Sequence, residues 1–171
     1  MQEKSIIRTE ALYSEDKTHR YILKKSWDTN KPSASIIMIS PSSKSKEVCM
    51  DLTTLYTVNN CYEQGLGNVE ILNLYSKLNA TTPENTSEND DWIAKSCQKA
   101  DKVILAWGKG QNSKEVLIRV LQVLKILEPY KEKLFEIADS SGRSGHHPLS
   151  AVVRLHWNLV PFEYPKIEQK S

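Results

Sequence analysis

Apolar residues in this chain gather in short runs that stop at polar ones. IIMI at 36–39 runs into Ser40-Pro41-Ser42, the run at 69–74 ends beside Asn73 and Tyr75, and VILAW at 103–107 stops at Gly108. Runs of this length suit strands buried on both faces, and a fourth, LFEI at 134–137, is predicted as a further core strand. Between them the period changes. Leu55, Val58 and Tyr62 fall at helical spacing within 51–64, with Gly65 and Gly67 as stops. The acidic lead-in at 88–91 suits the positive end of a helix predicted over 92–99, after a polar loop at 82–91. Val116, Leu117, Val120, Leu121, Leu124 and Leu127 mark an amphipathic helix over 113–127, stopped by Pro129 and expected to lay that stripe on the sheet. Residues 11–27 read as an antiparallel hairpin around a polar turn at 14–18.

Strands alternating with helices predict an α/β fold: three α/β/α layers around a mostly parallel central sheet of about four strands, plus the N-terminal hairpin. The chain has 171 residues, 39% of them hydrophobic, enough for one domain spanning 1–171. Within it the hairpin occupies 10–27, the α/β core 34–162 and a loose tail 165–171. Ligands of such sheets bind beyond the carboxyl ends of the strands. Ser40-Pro41-Ser42, Asn73, Trp107-Gly108 and His147 all fall there, so separate stretches of chain are expected to meet around one pocket.

Three cysteines, Cys49, Cys61 and Cys97, have no CxxC spacing and no histidine cluster beside them, so free thiols in a reducing, cytoplasmic compartment are expected and zinc is not. No stretch approaches the ~20 apolar residues that cross a bilayer, and no membrane partner is expected. The net charge of +2 neither demands nor excludes nucleic acid, because binding needs only a local basic patch. Lys44 and Lys46, Lys109 and Lys114, and Arg143 and Arg154 either form such a patch or are scattered, solvated charges. Lys44, Arg143 and Ser150 are the candidate phosphate contacts.

His147 is held between His146 and Pro148 after a glycine, in a loop where a neutral imidazole can stabilise charge developing on a leaving group; alternatively, His146 or His147 caps a strand. Asn73 offers one acceptor and two donors in a plane, the pattern that reads a base edge, or else ties two loops together. Ser40 and Ser42 flank Pro41 and can present hydroxyls or backbone N–H groups, though Ser-Pro also marks ordinary turns. Asp51, with Glu47 as the other choice, is the candidate water-activating carboxylate, or a solvated helix-start residue. Trp107 and Tyr75 are candidates for stacking on a base, or core aromatics. No Gly-rich phosphate loop, GxSxG elbow or HExxH motif is present, which weighs against kinase, hydrolase and metalloprotease chemistry; no cofactor and no metal are expected.

From the hairpin through IIMISPS, ILNLY, ILAWG and HHPLS, the chain resembles the bacterial domain-of-unknown-function family 1643 over about residues 10–162. The same ordered segments more distantly resemble the uracil-DNA glycosylase superfamily. That resemblance implies a uracil-DNA-glycosylase-like fold in which Ser40-Pro41-Ser42 form the water-binding loop, Asn73 reads the base, Trp107-Gly108 is structural and His147 supports the departing base anion. Ser40 stands where efficient members have aspartate, and a lone hydroxyl activates water poorly. Leu149 stands where the final motif has serine. The expected function is therefore recognition of a nucleobase in nucleic acid or a nucleotide, with N-glycosidic cleavage if an enzyme. The alternatives are a non-catalytic nucleotide or modified-base sensor, and an accessory interaction protein using the 113–127 helix.

Overall fold

Strand β3 (Ser33–Met38) occupies the centre of the sheet, and the pairings on either side show how the chain winds around it. The computed structural model describes residues 1–109 and 113–164, so the tail expected at 165–171 lies outside the described residues. β4 (Asn68–Asn73) pairs parallel with one edge of β3 and β5 (Lys102–Leu105) with the other, and β6 (Leu134–Ala138) pairs parallel with β5. β1 (Arg8–Tyr13) and β2 (Arg20–Ser26) form an antiparallel hairpin, and β2 joins β4 antiparallel. β7 (Asn158–Pro161) closes the far edge antiparallel to β6.

The order is β1-β2-β4-β3-β5-β6-β7, seven strands where about four were expected. Three of the six pairings are antiparallel, so the sheet is mixed rather than mostly parallel. The hairpin is the main cause. Instead of standing apart, β2 buries Tyr21, Leu23 and Lys25 and sets Leu23 opposite Ile71 of β4. β7 had no sequence signal: NLVP is four residues long and ends in a proline, which suits an edge strand.

Successive side chains of a strand point to opposite faces, and the core divides accordingly. Ile36 and Met38 of β3 share one cluster with Val58 and Cys61 of α1 (Leu52–Glu63) and with Trp157. Ile37 shares the other with Ile93 of α2 (Ser87–Lys99) and Val123 of α3 (Lys114–Leu127). Each helix begins at a residue whose side chain accepts from a backbone N–H of the first turn: Asp51 from Thr54, Thr86 from Asn89 and Ser113 from Val116. α1 ends in a left-handed Gly65, φ +74°, with the Leu66 N–H returning to the carbonyl of Cys61.

Two helix expectations change. α2 begins at Ser87, not Trp92, because Thr86 caps it and the acidic residues read as lead-in belong to the helix itself. In α3 the buried face is Val116, Arg119, Val123, Leu124 and Leu127, while Leu117 and Leu121 of the expected stripe are exposed. Arg119 turns the helix: its Nε donates to the carbonyl of Leu74 at 2.8 Å, and its Nη2 pairs with Asp90. Cys61 and Cys97 are buried free thiols pushed up to about 12 by burial, and Cys49 is an exposed one. Among the described residues no helix is long and apolar enough to cross a membrane.

Candidate functional site

The chain leaves β3 for α1 on one face and leaves β5 for α3 on the other, so the β3–β5 boundary is where the winding reverses. A cavity of about 630 Å³ opens there, beyond the carboxyl ends of the parallel strands. Ser40, Pro41 and Ser42 after β3, Asn73 at the end of β4, Trp107 and Gly108 after β5, and His147 and Ser150 of the last loop all line it, as does Asp51.

Asn73 sits opposite Met38 in the parallel register, and both line the cavity with Ile71, two residues back on the same face. Its backbone carbonyl accepts from the Asn89 Nδ2 of α2 at 3.0 Å, which anchors the strand end. The side chain is different. It is only 2% exposed, and its Oδ1 has no hydrogen-bond partner among the described residues. A buried acceptor left in that state costs about 1–3 kcal/mol.

His147 is half-buried, and its Nδ1 accepts the backbone N–H of Leu149 at 3.1 Å. An acceptor at Nδ1 places the proton of the neutral ring on Nε2. Burial draws the pKa below the ordinary histidine value, with Asp51 opposing, so the neutral ring is favoured. Gly108, φ +80°, lies against this histidine, and a Cβ there would come within 3.4 Å of the His147 Cβ. Gly145, also at φ +80°, packs on the Lys109 side chain so closely that a Cβ would collide with it.

The remaining predicted residues take varied positions. Ser40 is exposed, and Pro41 is buried. The Ser42 hydroxyl accepts from the Lys44 N–H. Asp51 faces the cavity, but its Oδ1 accepts the Thr54 N–H at 2.8 Å as the cap of α1. Three candidates stand elsewhere. Tyr75 lies in the core on the α2 and α3 face, its hydroxyl donating to the Glu115 carbonyl at 3.4 Å, so it does not line the cavity. Lys44 borders a separate depression shared with Ser40 and Lys77. Arg143 pairs with Asp139 at 2.9 Å, its side chain mostly in solvent.

Sequence reasoning missed Arg20, Ser45, Thr53, Thr54 and Ser144 as lining residues, and His146 was considered only as a strand cap. Arg20 opens β2, 3% exposed, and its Nη1 donates to the carbonyls of Ser42, at 3.2 Å, and Ser45. Burial lowers its pKa from the ordinary arginine value, with Tyr13, Asp51 and Glu47 opposing. Beside it on β2, Lys25 is fully buried and donates to the carbonyls of Lys46 and Glu47 at 3.3 and 2.9 Å. The signal for either was slight: a charge within RYILKKS gives no sign of which way it points.

Asp139, at the end of β6, accepts from the Ser141 N–H and hydroxyl, the Arg143 N–H and the Arg143 Nε, at 2.7–3.1 Å. These donors, the Ser141 hydroxyl first, hold its carboxyl well below the usual carboxylate range. The DSSG stretch is a turn signature that could have pointed to this loop. Among the described residues the cavity thus offers one lining carboxylate, Asp51, against Arg20 and Lys109. Among the described residues no group of three or more His, Cys, Asp or Glu is placed to hold a metal ion.

No curated protein and no solved structure matches the chain. A family model described as a protein of unknown function (DUF1643) matches residues 20–149, a span that begins at Arg20 and takes in every lining residue except Ser150. That match covers most of the sequence, and the chain belongs to the DUF1643 family.

Proposed function

We propose that this cavity receives a nucleobase, presented in nucleic acid or as a nucleotide, and holds it between the Asn73 carboxamide and the His147 imidazole. The observation that carries this is the unpartnered, buried Oδ1 of Asn73 in a cavity large enough for a base. A ring N–H of the ligand would satisfy that acceptor, and the amide N–H groups would meet a neighbouring carbonyl. Across the cavity, the His147 Nε2–H is a donor oriented by the Leu149 N–H behind it. The order of loop, asparagine, Trp-Gly and His-Pro is the one the likeness to uracil-DNA glycosylases implies, and the parallel β4-β3-β5-β6 strands support reading the fold as glycosylase-like.

In N-glycosidic cleavage the C–N bond breaks with both electrons leaving on the base, the Nε2–H stabilises that anion, and water adds to the sugar carbon and loses a proton. The last step needs a base. Ser40 has none beside it in sequence, and Asp51 is engaged as a helix cap, which favours a second reading: binding without turnover.

The test is titration of the full chain with nucleosides, 5′-nucleotides and short oligonucleotides of varied base, followed by scoring the oligonucleotides for abasic sites. Asn73→Ala and His147→Ala are expected to weaken binding by about tenfold or more with little change in the thermal transition. Unfolding of both variants instead would assign the two residues to structure. Abasic sites would establish the enzyme, and tight binding without them the sensor.

A further inference from the structure

Charged side chains are almost never fully buried unless paired, because taking a charge out of water costs several kcal/mol that only a partner offsets. Arg20 departs from this rule. At 3% exposure it lines the cavity, yet among the described residues no carboxylate lies within ion-pair distance of its guanidinium. Nη1 is directed at two carbonyls, Ser42 and Ser45, which are neutral acceptors. A guanidinium has five N–H donors in a planar fork, and with two carbonyls on Nη1 and the Tyr13 hydroxyl alongside, donors remain over for a further acceptor. The buried carbonyl partners fix the plane of the fork, and a fixed fork binds a two-oxygen anion with little further loss of side-chain freedom.

We infer that Arg20 is an anion anchor and that the ligand is a mononucleotide, its base against Asn73 and its terminal phosphate against the free edge of Arg20. This rests on the proposed base site and extends it, since a base alone leaves Arg20 without an anion at ion-pair distance. Burial selects the terminal phosphate. A phosphodiester inside a strand must route two neighbouring nucleotides past the cation that holds it, and a side chain this enclosed leaves little room for that. Lys109, exposed at the rim between Trp107-Gly108 and Gly145, supplies a second cation.

The test compares a nucleoside, its 5′-monophosphate, an oligonucleotide of the same base without terminal phosphate, and inorganic phosphate, titrated against the full chain at low and high salt. The monophosphate is expected to bind about tenfold or more tighter than the nucleoside, with the advantage shrinking in salt and vanishing in Arg20→Gln, which keeps a donor for the two carbonyls. Should Arg20→Gln unfold, competition between inorganic phosphate and the monophosphate on the unaltered chain decides: displacement supports the anchor, and its absence overturns it. Equal affinity for nucleoside and monophosphate overturns the anchor and leaves the base site standing. Phosphate binding that needs Arg20, with no preference among bases, supports the anchor and removes the base site. Tighter binding of the oligonucleotide than of the monophosphate overturns the choice of a terminal phosphate.

Discussion

Two loops enclose the cavity, and they are held in opposite ways. The loop after β3, residues 40–51, is gripped from outside: Arg20 and Lys25 of β2, more than twenty positions earlier, donate to four of its backbone carbonyls. The loop after β6, residues 139–150, is gripped from within, where Asp139 gathers the backbone and side chains of Ser141 and Arg143 two and four positions on. A loop tied by its own carboxylate is organised as soon as β6 ends. A loop tied by a distant strand is organised only when the hairpin docks on β4, so the shape of this half of the cavity depends on the hairpin.

The largest expected effect comes from cutting the external tie. Lys25→Met keeps a long apolar stem and removes a charged donor to two carbonyls and to the Thr9 hydroxyl. Charge-assisted hydrogen bonds contribute about 1.5–3 kcal/mol, and for a chain of this length each kcal/mol moves the thermal midpoint by about 2–4 °C. Amide exchange should quicken over 42–47 and stay slow over 139–147. Uniform loss of protection in both loops would show that they are not independently held.

Cutting the internal tie should act locally and through pH. The Asp139 carboxyl titrates below its ordinary value in the folded chain, so its contribution is complete above the ordinary carboxylate pKa of about 3.9. It is lost as pH falls from there through the folded value. Asp139→Asn is therefore expected to lower the midpoint at neutral pH and to bring it closer to that of the unaltered chain as the solution is acidified below about pH 4. A gap between the two chains that stays constant down to strongly acidic pH would mean that the ionised carboxylate is not what holds the loop.

This contrast also decides what could be read from sequence. The local devices were legible: the apolar run of β3 with Ser40-Pro41-Ser42 beyond it, the helix opening at Asp51 and the glycine stop at Gly65 all act over a few residues. Residues at strand ends could be assigned to one cavity because alternating strands and helices constrain where those ends go. Arg20 and Lys25 were not legible, since their meaning depends on β2 pairing with β4 and on a loop met later in the chain. Tyr75 failed for a related reason. Two residues past Asn73, it would share the Asn73 face if the strand continued, but β4 ends at Asn73 and the chain beyond it turns Tyr75 into the opposite core. In α3 the stripe was misjudged because Arg119, polar by type, occupies the buried face.

A smaller effect is expected at the junction of the loop after β3 with α1. Asp51→Ala removes the capping oxygen that accepts from the Thr54 N–H and should cost about 0.5–2 kcal/mol, whereas Asp51→Asn keeps a capping oxygen and should be close to neutral. Equal destabilisation by both, read in urea midpoints, would point to the charge rather than the cap.

The smallest expected effect joins the two loops electrically. Asp51 belongs to the first and His147 to the second, and the carboxylate raises the histidine pKa against the larger lowering caused by burial. Because the folded value lies below the ordinary one, the neutral ring contributes stability that is complete above about pH 6.5 and is lost as pH falls through the folded pKa. Protonation also places a hydrogen on Nδ1, against the Leu149 N–H it now accepts, so acidification should loosen the His-Pro turn before the rest of the loop. Asp51→Asn removes the charge and keeps the cap, which should move the His147 titration further down, measured by the imidazole proton resonances, with the thermal midpoint at neutral pH almost unchanged. No shift would mean that solvent in the cavity screens the carboxylate from the ring. The two loops would then be coupled only through the ligand they share.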